Sequence, residues 1–171
     1  MLWQHNSGWS YEHYPIEEDP GRFAPFESLV LLWRSKWSAN RLPGWSSFEL
    51  LDLSEWWGAL AVFDAVEGDP YAFDVRLWGT LLVELGGFDL TGQRLAPGPE
   101  TNDEDTKQIT RADVEAWRRS IDDRTICMAQ GPVHVELRNI GLLRYVVLPL
   151  GDDGLNANQV LYAELSEFPD D

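Results

Sequence analysis

The hydrophobic period of this chain changes abruptly at Gly79, and that change limits the available architectures more than any other feature. Upstream, YAFDVRLW over residues 71–78 alternates. Tyr71, Phe73, Val75 and Leu77 are set to one side, and Ala72, Asp74, Arg76 and Trp78 to the other, which is strand periodicity. Downstream, Thr80 opens a short helix carrying Leu81, Leu82 and Leu85, and Gly86 and Gly87 stand where a left-handed residue would end it. ALAVFDAV at 59–66 is a second strand candidate, and EGDP at 67–70 joins the two as a predicted hairpin. A hairpin running straight into a short helix makes the fold mixed α and β. Gly79 lets strand and helix backbones approach closely. No GxxxxGK[ST] or GxGxxG pattern accompanies it, so the segment is scaffold and not a phosphate loop.

Toward the N-terminus, Phe26, Leu29, Val30, Trp33 and Trp37 recur at three- and four-residue spacing, predicting an amphipathic helix over 25–38 that RLPGW stops. SSFELLDLSEWWG then supplies one or two short helical turns, and FDLTGQRL, beyond the second strand, a turn and another short helical piece. The acidic stretch 96–107 is expected to be an exposed, mobile loop. Thr110 and Asp113 approximate a capping box for a longer helix whose buried stripe is Val114, Trp117 and Ile121. PVHVELR, LLRYVVLPL and ANQVLYAEL are three further strands, with GDDGLN turning between the last two. The expected architecture is α+β: a five-stranded antiparallel sheet with short helices inserted between strands two and three, preceded by an amphipathic helix able to cover the opposite face. Residues 25–168 form one domain. Residues 1–24 lack a period and are expected to be a flexible or loosely docked arm, with no sixth strand.

Twenty-nine acidic residues against 13 basic give a formal charge of −16, which repels nucleic-acid phosphates and anionic membranes, so neither is an expected partner. The single cysteine excludes an intrachain disulfide and suits the cytoplasm. The first residues do not form a signal peptide, and no apolar run is long enough to span a bilayer.

Four pieces in order, LLWRSKW followed by RLP, then VRLWGTLLVELGG, FDLTGQRL and RYVVLPLGDDG, cover roughly residues 27–165. On these the chain resembles the PAS sensory fold, and more narrowly a family of single-domain PAS-like proteins known mainly from alphaproteobacteria. Phe88 departs from that family, which favours a charged or polar residue there. The resemblance implies a sheet whose concave side, with the short helices, holds a small-molecule ligand or a partner. It implies sensing or regulation and not a defined chemistry. A protein partner or a second copy is expected, with Phe26, Leu29, Val30, Trp33 and Trp37 as its contact stripe.

The ligand-contact candidates are Arg76, Trp117, Cys127 and His134. Arg76 could hold a carboxylate by paired hydrogen bonds, or pair with Asp74 or another acid and close an exposed face. His134, Glu136 and Arg138 should share one strand face but supply too few ligands for a metal, and no metal site is expected. Cys127 lies in RTICMAQG, between the long helix and the third strand. No CxxCH motif is present for covalent haem, and TICMA is not the Asn-Cys-Arg helix of a cysteine-adduct flavin photoreceptor. No cofactor is evident. No GxSxG serine or paired base and acid marks a catalytic site. Two other readings stay open: an enzyme on a small metabolite using Arg76 or His134, and an oligomerising subunit whose pocket is filled by its own side chains.

Overall fold

The computed structural model describes residues 2–4, 8–98, 109–135 and 139–168, with side chains for 8–98, 109–133 and 141–168. The chain begins with a hairpin of β1 (Leu2–Gln4) and β2 (Ser10–Pro15), followed by helix α1 (Glu27–Ser35). Three single-turn helices at Trp45–Ser47, Leu50–Leu53 and Trp57–Ala59 lead into β3 (Leu60–Ala65) and β4 (Phe73–Trp78). Then come α2 (Thr80–Gly86), the two-residue β5 (Arg94–Leu95) and α3 (Arg111–Asp123). The long strands β6 (Thr125–Val135), β7 (Asn139–Leu150) and β8 (Gln159–Glu167) complete the fold. Every pairing among the described strands is antiparallel, and the sheet order is β1-β2-β6-β7-β8-β3-β4-β5.

The five expected strands are the contiguous centre of this sheet, with α2 and α3 inserted between the second and third of them. The sheet is nevertheless eight-stranded, not five-stranded. β6 starts seven residues before the alternating PVHVELR, because TICMAQG continues the strand instead of connecting to it. That longer edge exposes a row of backbone groups, and SYEHYP pairs with it residue for residue from Ser10↔Gln130 to Pro15↔Thr125. Residues expected in a flexible or loosely docked arm therefore build a strand, and Tyr11 within them is 1% exposed.

Both faces of the sheet are covered. Ala61, Phe63, Tyr145, Val147, Val160 and Tyr162 point to the face that α2 and α3 close. Their neighbours Leu60, Val62, Val146, Leu148, Leu161 and Ala163 point to the other, which α1 closes. Phe26, Leu29, Val30 and Trp33 are 0% exposed there, and Trp33 Nε1 donates to Pro149 O at 3.0 Å. Trp37 packs edge-on against Trp33 at 5.1 Å. The expected contact stripe for a partner is thus spent inside the chain. Each such side chain contributes roughly 1.5–3 kcal/mol by leaving water, so the stripe holds the second layer of the core.

One local detail corrects the expected alternation. Val62 faces Leu77 and Phe63 faces Val75, so Arg76 is the extra residue of a β-bulge. The bulge puts Trp78 on the α3 face with Phe73 and Val75, and Leu77 on the α1 face. Immediately after it, a Cβ on Gly79 would lie 2.3 Å from Gly58 O, while Gly79 N donates to Leu60 O at 2.8 Å. Only glycine fits that crossing. Helix α2 ends as its sequence predicts, on Gly87 at φ +83°.

Candidate functional site

Helix α3 begins with the expected capping box, and its acidic partner does more than cap. Thr110 N and Thr110 Oγ1 each donate to Asp113 Oδ2 at 2.8 Å, and Asp113 N donates back to Thr110 Oγ1 at 3.3 Å. The other oxygen, Oδ1, accepts from Tyr11 Oη of β2 at 3.0 Å and from Tyr145 Oη of β7 at 2.8 Å. One carboxylate thereby ties the helix start to an edge strand and a central strand, with all three side chains buried. Burial, and after it the Asp113 charge, holds both phenols far above their ordinary pKa, so they stay protonated donors. Tyr162 Oη on β8 donates to Glu164, and burial followed by the Glu164 charge raises its pKa in the same way.

Beside this network lies a cavity of about 230 Å³. The sheet contributes Trp78, Leu143, Tyr145 and Tyr162 to its wall, α3 contributes Asp113 and Trp117, and Phe88 and Leu90 come from the turn after α2. Trp9, just before β2, closes the side nearest β6. Its ring lies against Gly131, where a Cβ would come within 2.3 Å of it, and 5.9 Å from the ring of Tyr145. Glycine in mid-strand is what lets an indole lie flat on the sheet. Trp117 stacks on Phe63 at 4.5 Å and meets Tyr162 edge-on at 5.7 Å, so the inner wall is close-packed aromatic surface. Trp78 and Trp117 are 7% and 1% exposed, and among the described residues neither indole Nε1 has a hydrogen-bond acceptor.

Of the three expected ligand contacts whose side chains are described, Arg76, Trp117 and Cys127, the cavity wall contains Trp117 alone. Arg76 points away from it, half-exposed, with its Nε 2.9 Å and 3.2 Å from the two oxygens of Asp64. Its partner is thus another acid than Asp74, which pairs with Arg94 at 2.7 Å. Cys127 is buried in β6 among the same core side chains but does not reach the cavity, and burial raises its thiol pKa well above the ordinary range. An inert thiol packed as a small hydrophobe follows. The backbone of His134 pairs with Ile140, while its side chain and residues Glu136 and Arg138 lie outside the described residues, as does the acidic loop from 99 on. Sequence reasoning missed Trp9, Tyr11, Trp78, Tyr145 and Tyr162. The alternation of Tyr162 on β8 pointed to its face; nothing local marked Trp9.

The wall does not suit the larger prosthetic groups of sensory domains. An apolar hole of ~150 Å³ takes one benzene ring, and haem or a flavin nucleotide has roughly five or more times benzene's heavy atoms. The described wall also has no imidazole or thiol to ligate iron. Among the described residues no group of three or more His, Cys, Asp or Glu is placed to hold a metal ion. No helix among them is long and apolar enough to cross a membrane.

No family model and no curated protein matches the chain. Among solved structures it is similar to the LOV domain of a fungal photoreceptor, with 15% identity over 86% of this chain and 97% of that one and a TM-score of 0.45. Light sensing is a property of that protein, and a likeness of this size carries no argument about this one.

Proposed function

We propose that this protein is a small PAS-like sensory or regulatory module that binds a small molecule in the aromatic cavity and acts through contact with another protein. The observation that carries the reading is the cavity itself. It sits on the helix-covered face of the sheet, where the PAS resemblance leads one to look, and the described side chains do not fill it. The described wall offers no nucleophile or paired acid and base, which favours binding over catalysis.

Native mass spectrometry of the full chain, purified without denaturation, tests the proposal. A stoichiometric small molecule lost on unfolding, and restoring thermal stability when added back, is the expected result. An unliganded mass, together with no thermal shift across a diverse metabolite set, would remove the case for sensing.

A further inference from the structure

The α1 stripe is buried inside the chain, so contact with another protein needs a different surface. Exposed apolar side chains standing singly are ordinary, whereas adjoining ones mark contact surfaces. Four occur on the single-turn helices before β3 and at the start of α2. Leu50 and Leu51 are 67% and 83% exposed, Trp57 is 48% exposed, and Leu81, in the first turn of α2, is 53% exposed. Trp57 Nε1 donates to Leu50 O at 2.8 Å, which holds the indole beside Leu50 and occupies its one polar group. What the ring offers to solvent is therefore hydrocarbon. Leu81 lies over the next residue, Gly58, where a Cβ would come within 2.6 Å of its Cγ. Leu50, Trp57 and Leu81 thus make one apolar strip across two elements of the fold.

The rim of this strip is acidic. Glu49 precedes Leu50, Asp52 and Glu55 fall between Leu51 and Trp57, and Glu84 is one helical turn beyond Leu81. Lys36 pairs with Asp52 at 2.5 Å, but among the described residues no cation pairs with Glu49, Glu55 or Glu84. Nine acids and one base occupy residues 42–93, and that base, Arg76, is held by Asp64. A second copy would set acid against acid across a symmetric contact, with a formal charge of −16 on each chain. Anionic lipid is repelled in the same way. The stretch 99–108, with four acids and one lysine, has the wrong charge to cover the strip. Complementarity selects a partner that is apolar in the middle and basic at its edges. On the premise of the partner contact proposed above, and independently of the cavity, we infer that the Leu50–Trp57–Leu81 strip docks an amphipathic segment of another protein. Its apolar side chains lie against Trp57, and its Lys or Arg side chains face Glu49, Glu55 and Glu84.

Three synthetic peptides test this on the full chain: one with leucines at helical spacing among lysines, one with glutamates replacing the lysines, and one with serines replacing the leucines. In titration calorimetry at ~0.15 M salt, where long-range attraction is screened, the leucine–lysine peptide should bind at least tenfold more tightly than either control. Amide signals moved by it in ¹H–¹⁵N spectra should centre on residues 49–58 and 80–84. Trp57→Ala should cost about tenfold or more in its affinity. Leu81→Ser, an exposed change that should leave thermal stability unaltered, should do the same and decides alone if Trp57→Ala does not fold. No binding of the leucine–lysine peptide, equal binding of either control, shifts spread over the whole acidic surface, or an affinity that both variants leave unchanged each overturns the inference. A wild-type dimer in sedimentation that Leu81→Ser dissociates would overturn it too, because a second copy would then be the occupant. A small molecule in the native mass spectrum with no peptide bound would remove this surface and leave the cavity standing. Peptide binding by a chain whose cavity proves empty would do the reverse.

Discussion

Asp113 is where the fold and the site share one group, and a mutant cycle measures what it does. Asp113→Ala removes a helix cap worth ~1 kcal/mol. It also leaves two buried phenol hydroxyls, Tyr11 and Tyr145, without their acceptor, at about 1–3 kcal/mol each. The expected loss is roughly 3–7 kcal/mol, a large share of the 5–15 kcal/mol typical of a domain. Tyr145→Phe alone forfeits one hydrogen bond to a charged group, about 1.5–3 kcal/mol, because Tyr11 still holds the same oxygen. In the Asp113→Ala background the same change removes an orphaned hydroxyl, so its cost falls to zero or turns into a gain of about 1 kcal/mol. The coupling is therefore at least ~1.5 kcal/mol, above the scatter of independent sites. Urea unfolding followed by circular dichroism, with m unchanged across the four proteins, reads it. An equal cost of Tyr145→Phe in both backgrounds would refute the claim that Asp113 is the common acceptor.

Gly131→Ala should push Trp9 off the sheet, costing about 1–3 kcal/mol of stability by overpacking and weakening whatever ligand the cavity takes. In a Trp9→Ala background the same change should be nearly neutral, and a full cost there would contradict the contact. Arg76→Ala, which breaks a half-exposed pair with Asp64, should cost less than ~1 kcal/mol and leave ligand affinity unchanged by calorimetry. His13, part-buried with Nδ1 2.9 Å from Thr125 Oγ1, has its pKa lowered from 6.5 to about 4 by burial and then by Arg119. Between those values the unfolded chain binds the extra proton, so this contribution is whole above pH 6.5 and is lost as the pH falls toward 4. The unscreened difference is ~3 kcal/mol, which solvent around a part-exposed ring reduces to ~1–2 kcal/mol. The stability difference between wild type and His13→Gln should shrink by that amount from pH 7 to pH 4, and a flat difference would rule the effect out.

The central sheet was legible because its signals are local. Period-two runs marked β4, the later half of β6 and β8, apolar strand-like runs marked β3 and β7, and the Thr110–Asp113 box marked the start of α3. What the sequence concealed was long-range. SYEHYP carries charge and a proline, and it is a strand only because TICMAQG extends β6 beside it. The Arg76 bulge turned a correct strand into a wrong face assignment for Leu77 and Trp78, since one inserted residue reverses everything after it. The stripe on α1 was read as apolar and given two uses, cover for the second face of the sheet and a partner contact, and the structure spends it on the first. For the cavity, Trp117 could be found by helical spacing. Trp9 could not, because its place depends on a glycine 122 positions away in sequence, Gly131.

That remote pairing has an energetic consequence. Trp9 walls the cavity from just before β2, and Tyr11, two residues on, bonds the carboxylate that also holds Tyr145. β2 is held by six cross-strand pairs to β6, with only the three pairs of β1 outside it. Such an outer segment opens at less cost than the interior of the sheet. Any molecule seated against Trp9 binds the docked arrangement and not the opened one. Occupancy must therefore stabilise the docked strand by RT ln(1 + [L]/Kd), about 2.7 kcal/mol at a hundredfold excess over Kd. The amides of Tyr11 and His13 should accordingly exchange with solvent more slowly when the small molecule retained in the native mass spectrum is bound, while those of β3 stay unchanged. Equal slowing in both strands would mean global stabilisation, and no slowing would uncouple the arm from the cavity.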